Sequence, residues 1–361
     1  MPLTLAPPQR RDLRSILRRF DIGDPHTCTR LTRGLLNRGY HLVTTRGRFF
    51  LKHHLGGDDQ SVLPVETAHR VVTALDGADL PVCPPLTDRD GKTVVLLGDR
   101  SYAVHPWVPG HHLEGAALTL HEAHRLGDLL GRLHLALDRL LPRPIGPLPG
   151  LGLEAADPER TRRTAERLIA RTRQARHRTD FDLLAERRLR ERLVLLDHHA
   201  GDRPDRSVIP PTGWVHGDFH PLNVLYSPEP RVPRGLPPTG RGGPPGREAL
   251  AVIDWDRLGT GPRAEEVVRA AAIFFLLPDG TLDLPRVRAY ARGYRAAADV
   301  DADELAAGAH RVWWERLNDF WILRWHYERE DPRVDPQLPA TSALVPWWSR
   351  NAAAVRDAFR A

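Results

Sequence analysis

The sequence predicts an α+β protein of two lobes, in which a small N-terminal lobe built on an antiparallel sheet precedes a larger, mainly helical C-terminal lobe. Short apolar runs separated by turn residues occupy residues 30–108, which is the pattern of antiparallel strands. Beyond them, apolar residues recur at helical spacing. A chain of 361 residues is long enough for two lobes. We place the lobes at residues 1–107, for nucleotide binding, and 108–361, for catalysis and acceptor binding.

The N-terminal lobe is predicted to alternate helices and strands. Residues 12–20 indicate a short helix, and residues 30–54 indicate three strands separated by two glycine-containing turns. A helix over residues 64–74 follows, because proline suits its start and glycine its end. Further apolar runs at 93–97 and 101–108 complete the small sheet.

The first glycine turn is a candidate for covering a nucleotide. Gly34 permits the backbone to approach phosphate groups, and Asn37 can present its side-chain amide at the tip of the turn. Glycines in hairpin turns are also common for purely structural reasons. Only the catalytic segment further along the chain favours the nucleotide interpretation.

Lys52 is informative because arginine carries nearly all the positive charge of the chain. Lysine occurs only at Lys52 and Lys92. Lys52 ends an apolar strand, where a compact ammonium group suits phosphate oxygens, whereas Lys92 lies in a turn and is interpreted as solvated. Glu66 is the only carboxylate of the next predicted helix before Asp76, so we expect it to form an ion pair with Lys52. The alternative is a solvated glutamate favoured by the helix dipole.

The end of the small sheet is the expected junction between the lobes. His105 and Trp107 lie there in the segment HPWVPG, which can offer backbone groups to an adenine ring. Trp107 is equally consistent with an ordinary core residue.

The remainder of the chain is predicted to be mainly helical. A capping box formed by Thr119 and Glu122 starts the first of these helices, which continues to Leu141. Its buried stripe consists of leucines, and His134 on it is interpreted as a packed structural residue. Amphipathic helices are predicted over residues 159–174 and 181–199. Further helices are predicted over residues 263–277, 287–298 and 304–330.

Three short oxygen-bearing side chains are predicted to meet at one edge of a sheet. Asp218 and Asn223 lie five positions apart in the run WVHGDFHPLNVLY, and Asp254 follows a second apolar strand in VIDWD. Protein kinases assemble an aspartate base, an asparagine and a metal-binding aspartate in a similar order. This pattern predicts a phosphoryl-transfer site with Mg²⁺ and a hydroxyl to be deprotonated.

The segment HGDFHPLN with the following IDW resembles the aminoglycoside phosphotransferase family, mostly small-molecule kinases with a protein-kinase-like fold. The resemblance covers most of the chain, and it implies ATP as phosphoryl donor. By position, it implies that Asp218 is the catalytic base and that Asn223 and Asp254 hold Mg²⁺. It also implies that His216 and His220 brace the loop.

The resemblance is poor in the regions that choose the acceptor. C-terminal helices contribute to substrate recognition in the family, which makes Glu315 and Asp319 candidate acceptor residues. They lie in the predicted helix over 304–330, whose six aromatic residues mostly indicate core packing. Asp256 is a further candidate, and it can alternatively support Asp254 or be solvated.

Two features depart from the family pattern. Glu265 and Glu266 stand where the family often has an aspartate that anchors the catalytic region, and either is long enough to replace it. Residues 227–248 form a Pro/Gly/Arg-rich tract between two predicted hairpin strands. Because this tract lacks apolar periodicity, it is predicted to be a flexible insertion, and a tolerated surface insertion is favoured over a docking element.

Composition restricts the partners and the compartment. The net charge is +6, but no aromatic and basic stripe accompanies it, so a nucleic-acid partner is not expected. The two cysteines, Cys28 and Cys83, give neither a disulfide framework nor metal-ligand spacing, which fits a reducing cytoplasm. No signal-peptide pattern or long apolar run predicts secretion or a membrane span.

The sequence therefore predicts a cytoplasmic ATP- and Mg²⁺-dependent small-molecule kinase. Its acceptor is an aminoglycoside-like antibiotic, an amino alcohol, homoserine or a sugar. Two alternatives remain: a Ser/Thr peptide kinase of natural-product biosynthesis, and a catalytically silent nucleotide-binding scaffold. The identity of the acceptor, the choice between ATP and GTP, and the oligomeric state stay open.

Overall fold

The N-terminal lobe is an antiparallel sheet flanked by two helices. The computed structural model describes residues 8, 10–31, 37–55, 64–142, 155–174, 177–205, 207–228, 246–298 and 300–361. The sheet has the strand order β1-β2-β3-β5-β4, and every neighbouring pair is antiparallel. Its elements are α1 (Arg10–Phe20), β1 (Pro25–Arg30), β2 (Arg38–Thr44), β3 (Gly47–His54), α2 (Val65–Asp76), β4 (Val95–Leu97) and β5 (Arg100–Pro106).

The rest of the described chain is mostly helical, which confirms the predicted fold class. The proposed lobe boundary at residues 107 and 108 follows directly on β5. Four short strands are β6 (Thr212–Val215), β7 (Val224–Tyr226), β8 (Ala249–Val252) and β9 (Gly259–Pro262). The helices are α3 (Leu120–Leu140), α4 (Pro158–Gln174), α5 (Asp180–His198), α6 (Arg263–Phe274), α7 (Leu284–Ala297), α8 (Ala302–Asn318), α9 (Trp321–Glu328), α10 (Leu338–Arg350) and α11 (Ala352–Arg360).

Two short antiparallel pairs position the loops that carry the predicted catalytic residues. β6 pairs with β9 and β7 pairs with β8. The loop from β6 to β7 and the loop from β8 to β9 therefore start and end at neighbouring points. The backbone of Val252 in β8 is also bonded to the N-terminal lobe, because its N–H donates to the carbonyl of Pro81 at 2.7 Å. Both loops consequently lie where the lobes meet.

The predicted start of α3 is present in full. The Thr119 hydroxyl accepts the backbone N–H of Glu122, and the Glu122 carboxylate accepts the backbone N–H of Thr119. These two bonds satisfy donors that the first helical turn leaves unpaired. The predicted leucine stripe is buried, and α3 packs on α7 in the main core.

The first strand differs from its predicted position. β1 ends at Arg30, where the first strand was expected to begin. Its residues are largely exposed and it pairs with β2 alone, at the edge of the sheet. An edge strand of this kind buries no alternating apolar face, so its sequence carries no period-two signal.

The single helix predicted over residues 304–330 is two helices, α8 and α9. Arg192 donates to the carbonyls of Arg316 and Leu317 at the end of α8, so these acceptors are satisfied without a further helical turn. The Asp319 carboxylate then accepts the backbone N–H of Trp321, the first residue of α9, at 3.1 Å. Hydrophobic periodicity carries no information about either contact.

The predicted insertion is anchored at its described ends. Ser227 is fully buried, and its N–H donates to the carbonyl of Glu248 at 2.8 Å. The flexibility predicted for the tract concerns mainly residues 229–245, which lie outside the described residues. Within the described ranges, no helix has both the length and the apolar character needed to cross a bilayer.

Candidate active site

The loop between β6 and β7 brings Asp218 and Asn223 together. The Asn223 side-chain amide donates from Nδ2 to the Asp218 carbonyl at 2.9 Å. The backbone of Asn223 is fixed as well, since its carbonyl accepts the N–H of Ile253 at 2.9 Å. Ile253 immediately precedes Asp254, so the three residues predicted to carry the chemistry lie on adjoining backbone segments.

His216 links the two loops through both nitrogens of its ring. Nδ1 accepts the backbone N–H of Asp218 at 3.2 Å, and Nε2 lies 3.1 Å from the carbonyl of Ile253, to which it donates. Burial lowers the pKa of His216 and outweighs the neighbouring carboxylates. The ring is therefore neutral near pH 7, as this donor and acceptor pair requires.

Glu266, buried in the C-terminal lobe, holds the catalytic loop in place through hydrogen bonds. Its carboxylate accepts the backbone N–H groups of His216 and Gly217, and its Oε2 lies 2.7 Å from Nε2 of His134. Burial alone would raise the pKa of Glu266, but the bond from His134 and the other partners hold it below its usual value. Of the two glutamates considered from the sequence, Glu266 makes these contacts. His134 is fully buried, as predicted, and also contacts Tyr294.

Asp218 is held in its ionised form. Burial favours the neutral acid, but His220, whose Nε2 lies 3.5 Å from Oδ2, outweighs it together with the charge of Arg257, and the pKa of Asp218 falls below its usual value. His220 is itself oriented, because its Nδ1 accepts the backbone N–H of Leu222 at 3.2 Å. The carboxylate is thus available to accept a proton.

Lys52 spans the cleft to the C-terminal lobe. Its Nζ lies 2.6 Å from Asp254 and 2.7 Å from Asp256. Burial alone would lower the pKa of Lys52, but the two carboxylates raise it, so the ammonium group stays charged. The predicted ion pair of Lys52 with Glu66 is wrong for this structure: Glu66 is exposed at the start of α2, and the partner carboxylates follow β8 instead.

Asp256, in the loop after β8, also contacts two residues of the N-terminal lobe. Its Oδ2 accepts the side-chain amide of Asn37 at 2.7 Å and lies 3.6 Å from Nδ1 of His54. Asp256 is therefore not a solvated residue, and it lies beside Lys52. Its assignment to the acceptor stays a prediction. Asn37 uses its amide for this contact, while Gly34 lies outside the described residues.

The expected adenine junction is partly occupied by contacts within the protein. The backbone N–H of Trp107 donates to the carbonyl of Arg48 at 3.1 Å, and its ring packs against His41 with centroids 4.1 Å apart. His105 has its Nδ1 3.2 Å from the carbonyl of Cys83. Trp107 therefore serves packing here, and its N–H is not free for an adenine ring.

The donor set at Asp254 suits a magnesium ion shared with a nucleotide. Asp254 has left-handed backbone angles and a side chain that is 43% exposed. Because Nδ2 of Asn223 is bound to a carbonyl, the amide oxygen is the atom left for coordination. The described ranges contain no cluster of three His, Cys, Asp or Glu side chains suited to a metal. Mg²⁺ commonly takes one or two carboxylates and completes its shell with phosphates and water.

The predicted acceptor residues on the C-terminal helices are engaged in ion pairs. Glu315 lies 2.8 Å from Arg269, and Asp319 lies 3.0 Å from Arg324 and accepts the backbone N–H of Trp321. Each carboxylate therefore already has a guanidinium partner. Their assignment to acceptor binding stays a prediction.

Several residues of the site gave no signal in the sequence. His69 and His54 lie beside Lys52, and Arg257 lies beside Asp218. The only available clue was position: Arg257 follows Asp254 by three residues, and His69 follows Glu66 by three on the predicted helix. Which face of that helix turns toward the lysine is decided by packing across the cleft.

The sequence of this chain is similar to the sequences of known proteins. The profile of the phosphotransferase enzyme family matches residues 27–236. A homoserine kinase of Rhodospirillum rubrum is 30% identical over 125 residues, or 35% of this chain and 38% of that enzyme. A homoserine kinase of Phenylobacterium zucineum is 24% identical over 342 residues, which cover 91% of this chain and 89% of that enzyme.

The fold also matches a solved structure. An amicoumacin kinase in complex with AMP-PNP, Ca²⁺ and Ami superposes with a TM-score of 0.56 at 16% sequence identity. The superposition covers 97% of this chain and 93% of that one. At this level of identity, the match shows that the two chains share a fold.

Proposed function

Because the chain belongs to the phosphotransferase enzyme family, we propose that it transfers the γ-phosphoryl group of ATP to a hydroxyl group of a small molecule, with the help of Mg²⁺. The names of similar proteins support a small acceptor, since they include homoserine kinases and an amicoumacin kinase. The candidate acceptors are an aminoglycoside-like antibiotic, an amino alcohol, homoserine and a sugar.

Four residues have separate roles in the proposed reaction. The acceptor oxygen attacks the γ-phosphorus, the bond from that phosphorus to the bridging oxygen breaks, and ADP leaves. Asp218 takes the hydroxyl proton, and Lys52 holds the phosphates of the nucleotide. Asn223 and Asp254 would hold Mg²⁺, which supplies neutralisation of phosphate charge. Most of the rate enhancement then comes from positioning and charge compensation.

One observation carries this proposal: a path of hydrogen bonds, completed by one peptide bond, connects the backbone of the proposed base to the proposed phosphate-binding lysine. It runs from Asp218 through the ring of His216 to the carbonyl of Ile253, and from the adjoining Asp254 to Lys52. The stability of the fold alone does not require an ionised aspartate and a buried lysine at the same cleft.

The proposal is tested by ADP release with MgATP and a panel of amino alcohols, hydroxy amino acids, sugars, aminoglycosides and Ser-containing peptides. Asp218→Asn should lower kcat by on the order of a thousandfold or more, because it removes the proton acceptor. Asp99→Asn, at a side chain that is 94% exposed, is the control and should behave as wild type.

The outcomes separate the alternatives. Stimulation by a peptide alone would favour a peptide kinase. Tight MgATP binding without stimulation by any compound would favour a silent nucleotide-binding protein. Normal turnover in Asp218→Asn would contradict the proposed base.

A further inference from the structure

Arg257 projects from the backbone segment that packs directly against the catalytic loop. It ends a short 3-10 helix, Trp255–Arg257, that follows Asp254. A Cβ atom added to Gly217 would lie 2.2 Å from the carbonyl oxygen and 2.9 Å from the Cβ of Arg257. Gly217 immediately precedes Asp218, so the Arg257 side chain begins one residue away from the proposed base.

The guanidinium group of Arg257 is not used by the fold. Within the described part of the chain, it makes no hydrogen bond and no ion pair, although the residue is half-buried. Its charge nevertheless acts on Asp218, where it helps to lower the pKa of the carboxyl group. The guanidinium therefore lies near Asp218 without reaching ion-pair distance. A fixed positive charge with five N–H donors is therefore present near the proposed base.

The carboxylates predicted for acceptor binding on the C-terminal helices, by contrast, each have an arginine partner. Glu315 is paired with Arg269 at 2.8 Å, and Asp319 is paired with Arg324 at 3.0 Å. A polycationic acceptor needs unpaired carboxylates, whereas an anionic acceptor needs an unpaired arginine. Of these charged groups, the one without a partner is the arginine beside Asp218.

We propose that Arg257 binds an oxyanion next to Asp218 and so selects a small hydroxyl acceptor that carries a carboxylate. This inference rests on the proposed function. The same donor set would also bind an oxygen of the γ-phosphoryl group, so the oxyanion has two sources, and the acceptor source is the one we favour. The paired state of the C-terminal acids supports that choice, because it leaves little unpaired negative charge for a polycation.

Two matched pairs of acceptors distinguish the sources. Homoserine and 3-aminopropanol share the hydroxyl and amino groups and differ by one carboxylate, as do serine and ethanolamine. With Arg257→Gln, kcat/KM for the carboxylate-bearing member should fall roughly ten- to hundredfold, the usual effect of losing a charged hydrogen bond. The amine-only member should change less than about threefold, and Arg257→Lys should retain part of the preference.

The pattern of losses identifies the oxyanion. A loss confined to the carboxylate-bearing members supports the acceptor carboxylate. An equal fall in kcat for both members of a pair supports the γ-phosphoryl group as the oxyanion and overturns the proposed acceptor selection. Unchanged kinetics for both members would overturn the proposal altogether. Arg167→Gln, at an exposed arginine paired with Glu328, is the matched control for removing an arginine.

A binding measurement separates this inference from the proposed reaction. The carboxylate-bearing acceptors are titrated calorimetrically into wild type, Asp218→Asn and Arg257→Gln in the presence of AMP-PNP. Binding that persists in Asp218→Asn and disappears in Arg257→Gln supports the role of Arg257 even if no transfer is detected. If wild type transfers phosphate to these acceptors and Arg257→Gln binds them equally well, the inference fails while the proposed function stands.

Discussion

The buried carboxylate of Glu266 is the hydrogen-bond acceptor for three polar groups that would otherwise be unsatisfied. It accepts two backbone N–H groups of the catalytic loop and faces the ring of His134. An unpaired buried donor costs about 1–3 kcal/mol, so removing this acceptor would destabilise the loop at several points together. The position of Asp218 thus depends on a residue almost fifty positions further along the chain.

The histidines beside Lys52 should make the protein sensitive to acid. Burial lowers the pKa of His69 to about 3 and that of His105 to about 4, from an ordinary value of 6.5. Between these values and pH 6.5 the unfolded chain binds protons that the folded chain does not, so stability falls as pH falls. Each histidine should contribute a loss of about 2 kcal/mol in the free energy of unfolding between pH 7 and pH 5.

Chemical denaturation at the two pH values checks this expectation. His69→Gln should reduce the difference between pH 7 and pH 5 by about 2 kcal/mol, whatever its effect at pH 7. The same substitution at His26, which is exposed on β1, serves as the control. An unaltered pH dependence in His69→Gln would contradict a buried neutral histidine.

At the scale of elements, the catalytic loop depends on a glycine between two crowded segments. Gly217 has a φ of +84°, and an added Cβ would meet the carbonyl oxygen of Arg257 at 2.2 Å. Gly98, in the turn between β4 and β5, also has a positive φ of +66° but no atom within 4 Å of an added Cβ. Both positions therefore have a positive φ that favours glycine, but only at Gly217 would a side chain also meet neighbouring atoms.

Gly98→Ala should cost about 1 kcal/mol in stability, because alanine is strained at positive φ. Gly217→Ala should cost more, roughly 2–4 kcal/mol, and should also lower kcat, since the loop must move away from Arg257. Thermal unfolding and turnover of the two variants provide the comparison. Equal losses of stability together with unchanged kcat would show that the contact with Arg257 does not constrain the loop.

The sequence predicted those elements whose signals are local. The capping box of Thr119 and Glu122 marked the start of α3, and the pattern HGDFHPLN located the catalytic loop. Elements defined by distant contacts were missed. The break between α8 and α9 depends on Arg192, which lies more than a hundred residues away in sequence. The partner of Lys52 was assigned to the nearest helix because the sequence does not show which carboxylates cross the cleft.

At the scale of the whole molecule, Lys52 contributes an electrostatic link between the two lobes. It extends from β3 in the small sheet to Asp254 and Asp256 in the larger lobe. Phosphates of a nucleotide would compete with these carboxylates for the same ammonium group, and Mg²⁺ would compete with the ammonium group for Asp254. Nucleotide binding should therefore exchange one set of ionic contacts for another.

Lys52→Met should expose this exchange. Without the ammonium group, Asp254 loses its ion pair with Lys52, whereas Asp256 keeps its contacts with Asn37 and His54. Stability should fall by roughly 1–3 kcal/mol, a value discounted for the exposure of Asp254. Mg²⁺ should then raise the Tm of Lys52→Met more than that of wild type, because a cation replaces the lost charge. Lys92→Met, in an exposed turn, is the control, and identical Mg²⁺ responses in wild type and Lys52→Met would contradict this account.

Because its two ends are bonded to each other, the Pro/Gly-rich tract is a suitable place to insert a second domain into the chain. Ser227 and Glu248 are joined by reciprocal hydrogen bonds of 2.8 and 3.0 Å, so the chain leaves and re-enters the fold at one place. A reporter domain whose own termini are close together could be inserted there without separating β7 from β8. Because β8 is only four residues long and leads toward Asp254, such a reporter would be attached close to the proposed metal-binding residue.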